Sequence, residues 1–324
     1  MPSFQHLLLK QFLVAAAAPL ARRKPSVGTI RLAMEAGALF QFMPWRVNLE
    51  SFRLDERLDA EWLRPRAAHH SRVLLYLHGG GYVLGSLNTH RSLIGSLALR
   101  TGLNVLTINY RKAPDHPFPA ALDDALRAYR WLLRHGHQPH DIVVGGDSAG
   151  GGLALALLLA LRDAGEPLPA AGIGLSPWTD LNLATAALRR VAREEALLLE
   201  ALQMHTWGGL YAHKMPLSHP LLSPAQADLH GLPPLLVQIS TAEVLYDDVL
   251  RFAAKARAAG VAVTVQPFEG LVHWWHLFWR VVPEARQALD QVAAFLTELW
   301  ANQVPRPVVL PAAPYRPATR RRAA

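Results

Sequence analysis

One segment organises this sequence: Val143-Val-Gly-Gly-Asp-Ser-Ala-Gly-Gly151, which leads directly into the apolar stretch Leu153–Leu161. The pattern predicts a β-strand that ends in a G-x-S-x-G motif at the start of a helix. A serine on so sharp a turn adopts strained φ and ψ angles that lift its Oγ clear of the backbone, and flanking glycines avoid collisions with the neighbouring strand and helix. The helix N-terminus behind the serine stabilises negative charge. The segment therefore indicates a nucleophilic Ser148, the alternative being a glycine-rich turn with a bystander serine.

A second glycine motif, His78-Gly-Gly-Gly-Tyr82, follows the strand pattern Val73–Leu77. Acyl transfer passes through a tetrahedral oxyanion, and preset backbone N–H groups lower that barrier by about 3–4 kcal/mol per donor. Successive glycines let such N–H groups turn toward a substrate without steric conflict. A glycine run alone is also typical of a simple turn, but beside a serine elbow it indicates an oxyanion hole.

Short β-rich apolar runs alternate with longer helical patterns along most of the chain, which is typical of a parallel sheet covered by helices on both faces. One such helix is predicted over Pro119–His135, where apolar residues recur at spacings of three and four and so share one face. The predicted strands are Val47–Phe52, Ala60–Leu63, Val73–Leu77, Asn104–Asn109, Ile142–Gly145, Gly172–Ser176, Leu235–Ser240 and Val261–Gln266. We therefore expect a single α/β domain.

Two segments break the alternation, residues 1–45 and residues 181–230, and both have helical or irregular patterns. The second separates two strands of one sheet by far more than a tight crossover needs, which favours an insertion over the edge of the sheet. The alternating pattern itself occupies residues 46–180 and 231–300, and we expect the two irregular segments to form a lid together. The tail over residues 301–324 is rich in proline and arginine and is expected to be disordered.

The composition limits the chemistry available. The 324 residues are 51% hydrophobic and 18% charged, a balance that excludes disorder across the whole chain. There is no cysteine, so disulfides, iron–sulfur clusters, thiolate zinc sites and cysteine nucleophiles are excluded together. The 15 histidines include no H-E-x-x-H pattern or comparable cluster, and no metal site is predicted.

A formal charge of +8 raises the question of nucleic acid or an anionic membrane as partner. Part of the excess lies at the ends, in residues 21–24 and in Arg320–Arg322, and no basic and aromatic residues alternate as in a single-strand binding groove. Nucleic-acid binding is therefore not expected. The apolar stretch Leu7–Leu20 contains Lys10, has no basic residue before it and is too short to cross a bilayer. We accordingly expect no stable membrane insertion and a cytoplasmic location.

The two glycine motifs and the segment Tyr110–Ala121 together resemble the hormone-sensitive-lipase-like branch, family IV, of the α/β-hydrolase superfamily, which comprises bacterial carboxylesterases with HGGG and GDSAGG motifs. The resemblance runs from about residue 45 to residue 300 and departs at Asp115, where the family usually has glutamate. It implies the α/β-hydrolase fold, with an eight-stranded, mostly parallel sheet, helices on both faces and a helical cap. On this resemblance residues 46–180 and 231–300 are the catalytic domain, residues 1–45 the N-terminal cap segment and residues 181–230 the cap insertion. It also implies that the enzyme needs no cofactor.

The resemblance assigns the oxyanion hole to the backbone amides of Gly80, Gly81 and Ala149. Gly79 is expected to shape the turn. His78 is expected to hold the glycine loop through a side-chain hydrogen bond, the alternative being a role as general base.

In α/β-hydrolases the triad follows the order serine, acid, histidine. His273 follows the last predicted strand at the catalytic position of the family, with His276, expected in a helix near the cap, as the alternative base. The acid departs from the family pattern Asp-Pro-Leu-x-Asp-Glu, because Glu243 stands at its first position. A glutamate orients an imidazole as aspartate does, although its longer side chain must fold back. We expect Glu243 as the acid, Asp247 as the alternative acid, and Asp147 as support for the serine turn.

These assignments predict a serine carboxylesterase that hydrolyses short- to medium-chain acyl esters through an acyl-enzyme. Its partner is a small-molecule ester, and a homodimer is a candidate assembly. The enzymatic alternative is the same machinery acting on lactones, amides or formamides, and the alternative from another class is a non-catalytic ligand-binding protein of the hydrolase fold. The expected substrate pocket is bulky and apolar, and its residues are Tyr82, Trp178, Trp207, Tyr211 and Trp274.

Overall fold

A computed structural model describes residues 1–23, 25–182 and 198–302 of the chain. Its strands are β1 Val47–Asp55, β2 Leu58–Pro65, β3 His69–Leu77, β4 Leu103–Ile108, β5 Ile142–Asp147, β6 Ala171–Leu175, β7 Leu235–Ser240 and β8 Val263–Phe268. They form one sheet of eight strands in the order β1-β2-β4-β3-β5-β6-β7-β8. Neighbours in the series from β4 to β8 run parallel, whereas β2 is antiparallel to both β1 and β4. The predicted eight-stranded, mostly parallel sheet is confirmed.

Two of the described helices precede the first strand, and each of the others follows a strand. The helices are α1 Phe4–Arg23, α2 Val27–Ala38, α3 Leu87–Thr101, α4 Ala120–Arg134, α5 Ala149–Asp163, α6 Leu198–Ala212, α7 Tyr246–Ala258 and α8 Pro283–Ala301. The helix predicted over Pro119–His135 is α4, one residue shorter at each end. None of the helices in the described ranges is long and apolar enough to cross a bilayer.

The central strand β5 separates two hydrophobic cores. Val144 belongs to the core formed with α4, α5 and α7, and Val143 belongs to the core formed with α3 and α8. Because successive side chains of a strand point to opposite faces, a strand buried on both faces is apolar along its length. This explains the continuous apolar run that leads into the serine motif, and it confirms helices on both faces of the sheet.

The bounds of three predicted strands differ from the structure for identifiable reasons. The last strand begins at Val263 rather than at Val261. Val261 N–H donates to Ala256 O at 3.0 Å, across Gly260 with φ of 76°, so Val261 completes the C-terminal turn of α7. At the other edge, β1 and β2 extend beyond their predicted ends because they pair along their lengths as an antiparallel hairpin.

Helices outside the sheet lie in the expected cap regions. Helices α1 and α2 belong to the N-terminal segment, and α6 belongs to the insertion. Arg31 of α2 attaches its segment to the body by donating to Val83 O at 2.9 Å and to Ala113 O at 2.7 Å, and it pairs with Asp115 at 2.9 Å. Residues 183–197 of the expected insertion and residues 303–324 of the expected tail lie outside the described residues. The domain boundaries therefore stay a prediction.

Candidate active site

Ser148 occupies the tight turn between β5 and α5. Its φ of 50° and ψ of −121° lie in a region that residues with side chains rarely adopt. Two backbone hydrogen bonds maintain this strain: Ser148 N–H donates to Leu175 O at 2.9 Å, and Trp178 N–H donates to Ser148 O at 2.8 Å. The Ser148 side chain makes no capping bond to α5, which leaves its Oγ available to another partner.

The glycines around Ser148 allow β3, β5 and α5 to meet closely. A Cβ on Gly146 would lie 2.3 Å from Leu77 O, and a Cβ on Gly150 would lie 2.0 Å from the same oxygen. Both distances are far below van der Waals contact, so a side chain at either position would displace the end of β3. The glycines thus bring residues His78–Tyr82, here called the glycine loop, against the first turn of α5.

Three side chains from distant parts of the chain form a hydrogen-bonded series at Ser148. His273 Nε2 lies 2.8 Å from Ser148 Oγ, and His273 Nδ1 lies 2.5 Å from Glu243 Oε2. All three residues are buried: Ser148 is 4% exposed, His273 is 5% exposed and Glu243 is 1% exposed. With the carboxylate accepting from Nδ1–H, Nε2 is the nitrogen that accepts the serine proton, which is the arrangement that nucleophilic acyl transfer requires.

The other oxygen of Glu243 is held as firmly as the one that faces His273. Glu243 Oε1 accepts from Ser176 Oγ at 2.7 Å and from Ser240 N–H at 2.9 Å. The longer glutamate side chain therefore has a fixed conformation rather than several rotamers. Asp247 lies in the first turn of α7, and the acid that contacts His273 is Glu243. The geometry favours the first of the two acids that the sequence left open.

Side-chain and backbone contacts hold the start of the glycine loop, whereas two N–H groups at its tip are available to a ligand. His78 Nδ1 lies 2.8 Å from Gly79 O, and burial lowers the pKa of His78 well below its ordinary value, so the neutral ring donates Nδ1–H to this carbonyl. Tyr110 stacks on the His78 ring at 4.3 Å and donates its hydroxyl to His78 O at 2.7 Å. Gly80 and Gly81 have φ of 123° and 63°, and within the described residues neither N–H donates to an acceptor. These N–H groups and that of Ala149 are where an oxyanion hole would form.

Asp147 links the serine turn to the glycine loop. Its Oδ1 accepts from Gly79 N–H at 3.0 Å and from the Tyr76 hydroxyl at 2.8 Å, and its Oδ2 lies 3.2 Å from His90 Nε2. Burial alone would raise the pKa of Asp147, but His90 and the Tyr76 hydroxyl lower it to about 2. A buried carboxylate thus stays charged and fixes the base of the loop.

Aromatic side chains pack around the glycine loop. Tyr82 is stacked on Tyr211 with centroids 3.8 Å apart, and Trp178 lies beside Tyr82 at 6.1 Å. A Cβ on Gly81 would lie 2.4 Å from the ring of Trp207, so this indole of α6 lies directly against the loop tip. Trp274 follows His273 in a left-handed conformation with φ of 66°, and their ring centroids lie 5.9 Å apart. Of the five expected pocket residues, one thus belongs to the loop, three pack around it and the fifth adjoins the histidine. Their contact with substrate stays a prediction.

One expectation holds only in part. His276 lies in a helix, the short 3-10 helix Trp275–Phe278, but its side chain contacts the sheet rather than the cap. Its Nε2 lies 3.1 Å from Gln238 Oε1 on β7, because the turn folds back between β7 and α8. Burial lowers the pKa of His276 to about 3, so the ring is neutral and has a structural contact. Histidine spacing alone does not show which of two nearby imidazoles turns toward the serine.

Several residues that support this site were not found from the sequence. Tyr76, His90, Ser176 and Ser240 each bond to a carboxylate of the site, yet none belongs to a motif. Tyr76 gave a weak signal, since it places a polar hydroxyl in the otherwise apolar run Val73–Leu77 of β3. In the described ranges no group of three or more histidine or acidic residues is arranged to hold a metal ion.

Comparison with known proteins agrees with this geometry. A family model described as an alpha/beta hydrolase fold matches residues 74–277. The chain is similar to an acetyl-hydrolase of Streptomyces hygroscopicus, with 47% identity over 238 residues that cover 73% of this chain and 79% of that protein.

Solved structures are similar over nearly the whole chain. The crystal structure of EstE5 soaked with p-nitrophenyl butyrate matches with a TM-score of 0.83 and 36% identity, covering 92% of this chain and 99% of that one. The crystal structure of an esterase from the bacterial hormone-sensitive lipase (HSL) family matches with a TM-score of 0.81 and 37% identity, covering 88% and 97%. The likeness extends from the glycine motifs to the complete fold.

Proposed function

Since the chain belongs to the bacterial hormone-sensitive-lipase family of α/β-hydrolase carboxylesterases, we propose that it hydrolyses short- to medium-chain acyl esters through an acyl-enzyme on Ser148. The observation that carries this proposal is the continuous series Ser148–His273–Glu243, with 2.8 Å between serine and histidine and 2.5 Å between histidine and glutamate. A buried nucleophile, base and orienting acid in this order have the roles that acyl transfer needs.

In the first half-reaction Ser148 Oγ attacks the ester carbonyl while His273 Nε2 takes the serine proton. Glu243 holds the imidazole with Nε2 toward Ser148 and stabilises the imidazolium that forms. His273 then gives the proton to the departing alcohol, and the acyl group stays on Ser148. In the second half-reaction the same nitrogen activates a water molecule, which releases the acid and restores the serine.

The tetrahedral intermediate places a negative charge on the former carbonyl oxygen. The N–H groups of Gly80, Gly81 and Ala149 are the donors that we assign to it, since the glycine loop lies against the first turn of α5. Asp147 and His78 keep this loop in place through Gly79. Donors set before the reaction stabilise the developing charge without reorganisation during it.

Short acyl groups are favoured by the packing next to the oxyanion donors. Trp207 lies against Gly81, and the stacked pair Tyr82 and Tyr211 occupies the space beside it. The relative called an acetyl-hydrolase and the EstE5 crystal soaked with p-nitrophenyl butyrate support the same range. A cytoplasmic location and a homodimeric assembly stay predictions from the sequence.

The experiment is hydrolysis of p-nitrophenyl esters from acetate to palmitate by the wild type and by Ser148→Ala. We expect an optimum at short chains and a loss of turnover of about 10⁴-fold or more in the variant. Ser96→Ala is the matched control, because Ser96 is equally buried but lies in α3, where its Oγ accepts from Arg100 at 3.3 Å. Matched anilides and lactones are assayed in parallel.

The outcomes separate the alternatives. Faster turnover of anilides or lactones than of esters would move the substrate class while leaving the machinery in place. A folded wild type that turns over none of these compounds would favour a ligand-binding protein of the hydrolase fold and would overturn the proposal.

A further inference from the structure

The N-terminal helix reaches the loop that carries the catalytic histidine. His6 of α1 is completely buried, and its Nε2 accepts the backbone N–H of Val272 at 3.0 Å. Val272 directly precedes His273 in the chain. A side chain 266 positions away in sequence therefore forms a hydrogen bond with the residue that directly precedes the catalytic base.

Three consecutive backbone N–H groups hold the approach to His273, and each donates to a side chain. Gly270 N–H donates to Thr241 Oγ1 at 3.0 Å, and Leu271 N–H donates to Ser240 Oγ at 2.7 Å. Both acceptors follow or end β7, so they belong to the catalytic body. The third N–H, that of Val272, has its acceptor on α1 instead. The last fixed point before the catalytic base thus comes from the N-terminal segment.

The start of α1 is fitted closely to this loop. Ser3 donates from its backbone N–H and from its Oγ to the two carboxylate oxygens of Glu284, at 2.5 and 2.8 Å. A Cβ on Gly270 would lie 2.8 Å from Pro2, so the backbone of the loop passes directly under the helix start. Leu9 packs against the apolar cluster that contains Leu271. The position of His6 is therefore set by contacts on both sides of it.

We propose, resting on the function proposed above, that His6 is a positioning residue for His273: its unprotonated Nε2 holds the Val272 N–H and so fixes the backbone from which the catalytic imidazole reaches Ser148. Val272 is buried, and nothing else in the described chain accepts its N–H. Without this acceptor the loop loses its last anchor and the imidazole samples orientations away from Ser148 Oγ. Such an effect reduces the rate of the chemical steps rather than the binding of substrate.

The charge state of His6 suits this role. Burial lowers its pKa below the ordinary value, Glu284 opposes that change, and Lys10 adds to it. The ring is therefore neutral at the pH where the esterase works, with its proton on Nδ1 and a free lone pair on Nε2. Protonation at low pH would place a second N–H against that of Val272 and break the contact.

The test compares His6→Leu, which removes the acceptor, with His6→Gln, whose side-chain oxygen reaches the position of Nε2. We expect His6→Leu to lower kcat on p-nitrophenyl butyrate about 10-fold with KM within about twofold of wild type, and His6→Gln to recover most of the loss. Glu269→Gln is the matched control: it removes the exposed ion pair between Glu269 and the Met1 amine, 2.9 Å apart, but leaves Ser3 and the His6 acceptor in place, so its kcat should stay near that of wild type. Loss of kcat in the control as large as in His6→Leu would reduce the role of His6 to packing.

A pH profile gives a second readout. Below the pKa of His6, wild-type kcat should fall about 10-fold further than the titration of His273 alone gives, because protonation of His6 removes the same acceptor as His6→Leu, whereas His6→Gln should lack this additional fall. Identical acid-side profiles in the two proteins would contradict the assignment. If His6→Leu does not fold, the comparison of His6→Gln with the shorter His6→Asn decides the same question.

The outcome for His6 is separable from the outcome for the function as a whole. A wild type without esterase turnover contradicts the proposed function. In that case the downfield proton NMR signal of His273 Nδ1–H, compared between wild type and His6→Leu, still reports the position of the ring. An active wild type with an equally active, folded His6→Leu leaves the function standing and overturns the role of His6.

Discussion

Glu243 contacts His273 through one carboxylate oxygen, while its other oxygen accepts hydrogen bonds from two residues at the ends of sheet strands. Oε2 lies 2.5 Å from His273 Nδ1, and Oε1 accepts from Ser176 Oγ at 2.7 Å and from Ser240 N–H at 2.9 Å. A glutamate has one more rotatable bond than an aspartate, and the two donors to Oε1 remove that freedom. The substitution of glutamate for the aspartate of the family pattern is therefore accommodated by partners of the far oxygen.

Glu243→Gln should reduce kcat by about 10³-fold or more with KM little changed, because the amide presents no charge to the imidazolium and favours the wrong tautomer. Asp247→Asn is the matched control, with kcat expected within about twofold of wild type. Steady-state assays with p-nitrophenyl butyrate measure both. If Asp247→Asn were the crippling change, the acid would be Asp247 and the observed pair would be structural.

Ser176→Ala should lower kcat by about 3- to 10-fold, because Glu243 Oε1 loses one of its two donors while the contact with His273 remains. The left-handed φ of 48° at Ser176 is equally strained for alanine, so backbone strain does not change. Assays of Ser176→Ala beside Ser96→Ala measure the effect. A kcat equal to that of wild type would show that the Ser240 N–H alone is sufficient.

Asp147→Asn should weaken the glycine loop and lower kcat by about 10-fold or more, since the carboxylate that holds Gly79 N–H and faces His90 is lost. It should also change acid stability. The folded pKa of about 2 lies below the ordinary value of 3.8, so the charged form stabilises the fold by about 2 kcal/mol above pH 4, and this contribution is lost as the pH falls toward 2. Chemical denaturation at pH 7 and pH 3 should show a smaller stability difference in the variant than in wild type, and equal differences would contradict the assignment.

Asp248→Asn should stabilise the protein at pH 8 and not at pH 4. Burial raises the pKa of Asp248 to about 6, with Asp180 adding to the effect and Arg251 opposing it. The folded state therefore favours the protonated acid, and stability falls as the pH rises from about 4 through about 6, by about 3 kcal/mol in total. Thermal unfolding at the two pH values tests this, with Asp247→Asn as the neighbouring control. A Tm gain of equal size at both pH values would point to a cause other than titration.

Trp207→Leu should shift substrate preference toward longer acyl chains. The indole lies against Gly81, next to the amides assigned to the oxyanion, and a smaller side chain opens that space. We expect the ratio of kcat/KM for p-nitrophenyl octanoate to that for the acetate to rise about 10-fold. Tyr211→Phe keeps the stack on Tyr82 and serves as control. An unchanged ratio would place the acyl group elsewhere.

Much of the active centre is predictable because it is built from consecutive residues. The serine turn depends on local backbone geometry and on glycines within two positions of Ser148, and the glycine loop depends on three successive glycines. The formation of each feature depends only on the residues of its own segment and on the neighbouring strand. The eight-stranded sheet is predictable for a similar reason, since strands buried on both faces are recognisable in the sequence as short apolar runs.

The partners of the site were harder to predict because they come from different strand ends. His273 and His276 are three residues apart, and only the turn that follows decides which imidazole faces Ser148. Ser240 ends β7 and Ser176 follows the neighbouring strand β6, and they meet at Glu243 only in the assembled sheet. No spacing rule links such positions.

The fold class followed from the sequence alone, which also predicted the nucleophile and the loop assigned to the oxyanion, because each is encoded by steric demands within a few residues. The tertiary structure decided which acid contacts His273, which histidine is structural, and that His6 of the first helix reaches the catalytic loop. These are contacts between segments far apart in the chain. Their formation depends on how strands and helices pack against one another, and packing distances are a property of the whole fold rather than of any one segment.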